Sequence, residues 1–178
     1  GGQVRVRGSA RLENVGVVFA NTGMTLQGAD IVNDQARIHS MGDLRIEGAQ
    51  PGQAATSVFN YAGRIESVDD MALNADTVIN RAVLPSVNVR GLVEHIKEDG
   101  KIITRATDTF NADGKKAELI AGKSLTVNAK TVHDDYGILS AWHAVNINAD
   151  TIHNTAYGAI QTENMVVKAA CYNCHQTV

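Results

Sequence analysis

A surplus of basic residues is the first thing this sequence lacks. Sixteen Lys and Arg face 19 Asp and Glu, giving a formal net charge of -3. With a pI near 6.1 the chain has no basic surplus to neutralise a phosphate backbone, so no nucleic acid is expected as a partner. Long apolar runs are also missing, so no membrane span is expected. There is no initiator Met, basic leader or signal-type apolar segment, and Gly1-Gly2 opens in mid-pattern. The chain therefore reads as an excised piece of a larger protein. Apolar residues at helical spacing over three turns are absent as well, which argues against long amphipathic helices. Only 2 Pro and an aromatic fraction of 4% are present, so the turn signals fall to 16 Gly and 14 Asn.

What the sequence does have is strand-forming chemistry and enough of it to build a core. Hydrophobic residues make up 44% of 178 residues, and charged residues 20%. Val (19), Ile (13) and Thr (13) together make up about a quarter of the chain, which favours short strands. These strands repeat. Gly16–Leu26, Ala36–Ile46, Gly63–Leu73, Ala117–Val127 and Gly137–Ile147 align without gaps. Each has a small residue, an alternating apolar run, a polar stretch and a closing apolar-x-apolar. Their downstream halves match too, most closely in Leu73-NADTVI-Asn80, Val127-NAKTVH-Asp134 and Ile147-NADTIH-Asn154. Val6 and Val167 extend the series by one 20-residue period at each end.

Three short alternating runs per period, separated by tight turns, predict one triangular coil. Stacked in parallel, such coils pair each strand with its copy roughly 4.8 Å away. The expected fold class is therefore all-β, a right-handed parallel β-helix of about eight coils, on the order of 40 Å long. Small residues at Gly28, Ala75, Ala129 and Ala149 suit its corners. Asn33, Asn60, Asn80, Asp134 and Asn154 fall in one column. They read as structural turn residues, with the asparagines themselves in left-handed conformation and bonded to stacked copies.

Two surpluses interrupt the period. Ile46 to Leu73 exceeds it by a Gly/Pro stretch between Gly48 and Thr56, read as a loop. Leu73 to Val127 reads as two periods plus 14 residues. The second surplus marks an insertion over 84–116 in a single 1–178 β-helix segment. Asp99-Gly100 is a two-residue turn signal, so 92–107 is expected to form a hairpin projecting from the coils. His95, Lys97, Lys101 and Arg105 are its candidate partner contacts. The competing reading is a solvated decoration of mixed charge.

Chemistry-bearing constellations are sparse. Cys171-Tyr172-Asn173-Cys174-His175 has the spacing of a c-type haem attachment site. It sits beside the end of the chain with no evident haem pocket, so a local Cys171–Cys174 disulfide in an oxidising compartment is preferred. Free thiols or pairing with absent chain remain open. No second Cys or His pair completes a zinc site. His133 and His153 lie one period apart and should stack as surface residues. Trp142 is expected packed or half-exposed. Asp76 and Asp150 share a column position several coils apart with Lys130 between them. Asp69-Asp70 and Asp134-Asp135 show no Arg or Lys column beside them. Catalysis, a metal site and a cofactor are therefore not expected.

The repeated units Leu73-NADTVI-Asn80, Gly137-ILSAWHAVN-Ile147 and Ile147-NADTIH-Asn154 resemble the haemagglutinin repeats of filamentous haemagglutinin-type exoproteins. The resemblance spans nearly the whole chain apart from 48–55 and 84–116. It implies a segment of a long secreted bacterial surface filament, exported by two-partner secretion through an outer-membrane partner that reads an N-terminal domain absent here. It further implies an adhesin whose partner is a receptor or glycan on a host or neighbouring cell. A stalk or receptor-reading part of a contact-dependent growth-inhibition effector is the alternative within the family. A carbohydrate-active β-helix enzyme and a haem-bearing electron carrier are rivals from outside it. The Cys171/Cys174 pair also resembles the C-terminal cysteine pair by which some of these adhesins are anchored.

Overall fold

The computed structural model describes residues 3–83, 93–98, 101–106, 115–155 and 158–172. Every regular element among them is a β-strand. The β-branched, alternating sequence supplies side chains that pack on a pleated surface, and the burial follows that alternation. Arg37–Ser40 and Arg64–Ser67, for example, bury every second residue.

Three strand faces make up one coil. The first face begins with Val4–Arg7, Met24–Gln27 and Leu44–Glu47. The second begins with Arg11–Asn14, Asp30–Asp34 and Ala55–Tyr61. The third holds Val17–Ala20, Arg37–Ser40, Arg64–Ser67, Glu118–Ala121, Ile138–Ala141 and Ala159–Gln161. In the later coils the first two faces run on as single long strands, Met71–Arg81, Ser124–Asp135 and Ala144–Thr155. All pairing between successive coils is parallel. The coil stack is a parallel β-helix.

The register follows the apolar column read from the sequence. Val6 pairs with Leu26, Leu26 with Ile46, Ile46 with Leu73, Val127 with Ile147 and Ile147 with Val167. One step differs. Leu73 pairs directly with Val127, so the intervening chain holds no additional coil of the stack. The expectation of two periods plus 14 residues is corrected to one period plus a longer excursion, and about eight coils become seven rungs among the described residues. The physical reason is that the strand edge beside Leu73 is already occupied by Val127. The chain leaves this stack at Val83 and re-enters at Lys115, where Val83 N donates to Lys115 O at 3.1 Å.

The core is a continuous apolar column. Ile46, Leu73, Val127 and Ile147 from the first face are buried against Val58, Val78, Val132 and Ile152 from the second and Ile65, Leu119 and Leu139 from the third. Each such side chain contributes about 1.5–3 kcal/mol on removal from water. Where the 48–54 loop departs, two polar side chains are buried beneath it. Gln27 Nε2 donates to Glu47 Oε1 at 2.9 Å, and Gly52 N donates to Glu47 Oε2 at 3.0 Å.

Residues Leu84–Gly114 form a separate compact unit. Within it, Val93–Glu98 and Lys101–Ala106 pair antiparallel, from Val93 opposite Ala106 to Glu98 opposite Lys101. The Asp99-Gly100 turn signal lies outside the described residues.

Candidate functional site

The most organised polar structure runs through the coil stack as a column of amides. Asn14, Asn33, Asn60, Asn80, Asp134 and Asn154 are in successive register. Each of the first four amides donates to the next side chain. Asn14 Nδ2 reaches Asn33 Oδ1 at 2.8 Å, Asn33 reaches Asn60 at 2.8 Å, and Asn60 reaches Asn80 at 2.8 Å. Asn80 Nδ2 reaches Asp134 Oδ1 at 2.7 Å. The same amides brace the following turn, since Asn33 donates to Ala36 O and Asn60 to Gly63 O, both at 2.9 Å. Asn33, Asn60, Asn80 and Asp134 are fully buried, so these bonds replace water that cannot reach them.

Two features of the column differ from the sequence expectation. Asn14, in a unit whose spacing departs from 20, belongs to it as well. The left-handed residues are not the asparagines but Gln35, Ala62 and Tyr136, each two positions later, with φ of 49°, 46° and 54°. The asparagines are strand residues whose side chains hold the turn, and the backbone reversal falls after them.

Asp134 is the one carboxyl in the column. Its Oδ1 accepts from Asn80, while its Oδ2 is buried without a hydrogen-bond partner. Burial pushes this carboxyl up to about 7, against the lowering effect of the Asn80 bond and reinforced by neighbouring Asp135. Gly137 closes the turn against it, and a β-carbon there would strike the Asn80 amide and the Asp134 carboxyl.

Among the described residues, the outer faces carry ion pairs. On the third face, Glu66 Oε2 accepts from Arg37 at 2.9 Å and Arg64 at 3.0 Å, with His39 Nδ1 at 3.1 Å. Burial raises the Glu66 carboxyl, but the hydrogen bonds from Arg64 and Arg37, together with His39, outweigh it and hold it below its ordinary value. Arg64 also reaches Glu118 at 3.4 Å.

Several carboxylates are placed differently from the sequence reading. Thr77, Thr131 and Thr151 are in register, so Asp76, Lys130 and Asp150 occupy consecutive coils, not distant ones, and Lys130 bonds Asp76 at 3.0 Å. Asp69 does have a cation, Lys123 at 2.8 Å, and Asp135 has Arg81 at 2.7 Å. The direct Leu73–Val127 register brings each of these pairs onto neighbouring coils. Asp70 Oδ1 accepts from Ser124 N at 3.0 Å, and Asp43 Oδ1 from Asp70 N at 3.2 Å. These two carboxylates border an open groove of about 430 Å³ that also includes Thr25 and Arg45, and they brace its turns.

The remaining candidates are scattered. His133 and His153 stack with ring centroids 4.8 Å apart, and burial together with His153 lowers the His133 imidazole below its usual range. No group of three or more His, Cys, Asp or Glu side chains able to hold a metal occurs among the described residues. Trp142 is 68% exposed, more than expected, in the turn between Ile138–Ala141 and Ala144–Thr155. Cys171 lies on Asn164–Tyr172 in register with Thr151 and is disulfide-bonded. Cys174 lies outside the described residues. His95 and Lys97 lie on one strand of the 84–114 unit, Lys101 and Arg105 on the other. The register aligns the first two with Thr104 and Ile102, and the second two with Glu98 and Glu94.

No helix among the described residues is long and apolar enough to cross a membrane. No curated protein and no solved structure matches the chain. The family model described as "Haemagglutinin repeat" matches residues 1–50 and 52–170, its break falling in the loop that leaves the first face after Glu47. With matched repeats over almost its whole length and the coil register those repeats require, the chain belongs to the haemagglutinin-repeat family, the repeat of filamentous haemagglutinin-type proteins.

Proposed function

We propose that this chain is a load-carrying and display segment of a secreted bacterial surface filament that mediates adhesion. The observation that carries the reading is the unbroken register of the core column across seven rungs, including the step from Leu73 to Val127 over a long excursion. Repeats stacked in this way hold one another in line by neighbour contacts, and insertions in repeat proteins often fall on the binding face. Membership of a structural, adhesin-type repeat family supports the same role and gives no support to bond-breaking chemistry. Its export through an outer-membrane partner and its place at the cell surface belong to this proposal. The disulfide at Cys171 agrees with an oxidising compartment, and Cys174 is its proposed partner. The contact element is the Leu84–Gly114 unit, and its ligand is a receptor or glycan on another cell.

The test is binding of the labelled chain to animal cells and to neighbouring bacteria, with and without residues 84–114. Saturable binding that disappears with the deletion supports both the adhesive role and the assigned element. Binding that survives the deletion moves the contact to the coil faces. No saturable binding to either cell type defeats the adhesive reading of this segment.

A further inference from the structure

The amide column has a chemical asymmetry at its fifth position. Four asparagines pass a hydrogen bond from coil to coil, and the residue that receives the last one at 2.7 Å is Asp134. An ionised carboxylate only accepts hydrogen bonds, whereas an asparagine both accepts and donates. A fully buried carboxylate with one orphaned oxygen needs a compensating charge or a proton. The cations nearby are committed elsewhere. Arg81, on the preceding long strand, is held by Asp135 through both Nε at 3.0 Å and Nη2 at 2.7 Å. On the third-face strand, Glu118 is engaged by Arg64. His133, Asp135 and Tyr136 flank Asp134 on its own segment, and His153 lies on the following coil in register with His133. Asn154 occupies the next column position.

We propose that the folded coil stack binds a proton at Asp134, so that this carboxyl stands in as a neutral member of the amide column and makes the coil around it acid-stabilised. The protonated group accepts from Asn80 through Oδ1 and carries its hydrogen on Oδ2, the atom that otherwise lies buried and unpartnered. Gly137 and Gly158 leave no side chain between this group and its neighbours; a β-carbon at Gly158 would come within 2.9 Å of Oδ2. Burial raising the group to about 7 agrees with this placement.

The linkage has a definite sign. The folded carboxyl titrates above the unfolded one, which lies near about 3.9. The stabilisation is therefore complete below the unfolded value and is lost as pH rises through the window up to about 7. Ordinary paired carboxylates such as Glu66 act in the opposite direction.

Urea unfolding of this chain and of Asp134→Asn, measured from pH 4.5 to 8, isolates the effect. The amide variant keeps the acceptor for Asn80 and has no proton to lose. Its folding constant should gain on the wild type by up to about tenfold per pH unit between pH 5 and 7, then level off. Curves that stay parallel across that range overturn the proposal. A second measurement needs no variant: carbon-13-labelled aspartate in the folded wild type should show one protonated carboxyl at pH 6. Finding every aspartate ionised at that pH overturns it equally.

Discussion

At the residue scale the amide column makes sharp distinctions between identical amino acids. Asn60 donates to Asn80 and Gly63 and accepts from Asn33. Asn60→Ala removes these bonds and strands the partners where water cannot reach, so a loss of about 2–4 kcal/mol is expected in urea unfolding. Asn148, exposed on the outer surface of the stack, should tolerate the same change within about 0.5 kcal/mol. Glycines divide in the same way. Gly137→Ala would drive a methyl into Asn80 and Asp134 and should cost about 3 kcal/mol. Gly16 has nothing within 4 Å of an added β-carbon, and Gly16→Ala should be neutral or stabilising by about 0.5 kcal/mol in thermal unfolding.

Five members of this column were legible from the sequence because they recur in matched frames such as Asn-Ala-Asp-Thr. Asn14 was not, since it precedes Asn33 by 19 residues and its unit lacks that frame. The left-handed positions were hidden for a different reason. Gln, Ala and Tyr carry no preference for positive φ, so nothing in their identity marks these turns. The orphaned oxygen of Asp134 was also invisible, because sequence reports a carboxyl in a column of amides but not what surrounds it.

At the element scale, stability resides between coils. Each strand alone is three to twelve residues long and gains its hydrogen bonds from the copies beside it. Leu73 and Ile147 lie at the centre of that contact, and both are buried. Leu73→Asp or Ile147→Asp places an uncompensated charge in the apolar column and should cost more than about 4 kcal/mol. Loss of the cooperative unfolding transition, followed by circular dichroism, is the expected sign. An unchanged melting curve for either variant would remove that residue from the core. The strand positions and their alternation were readable because period-2 burial leaves its mark on every unit. The fusion of the first two faces into long strands from Met71 onward was not. It depends on how sharply the backbone bends at the corner, and Ala75, Ala129 and Ala149 all lie within strands that run straight through.

At the scale of the whole molecule, the separation of the Leu84–Gly114 unit from the coil stack is the decisive division. Val83 and Lys115 are already bridged, so replacing 84–114 by a short Asn-Gly link should preserve the β signal and leave the melting temperature within a few degrees. A collapse of the transition would show that the unit supports the stack. Counting residues alone misjudged this region, because the interval from Leu73 to Val127 divides into two periods and a remainder as readily as into one period and an excursion. Only the identity of the strand beside Leu73 distinguishes them.

The bridge at Val83 and Lys115 has a consequence for how such a protein can change over time. Chain that departs and returns at one seam is indexed by the seam and not by its own length. A longer, shorter or wholly different cassette could be exchanged there while every later coil keeps its address, so novelty in the cassette need not disturb the coils that follow it.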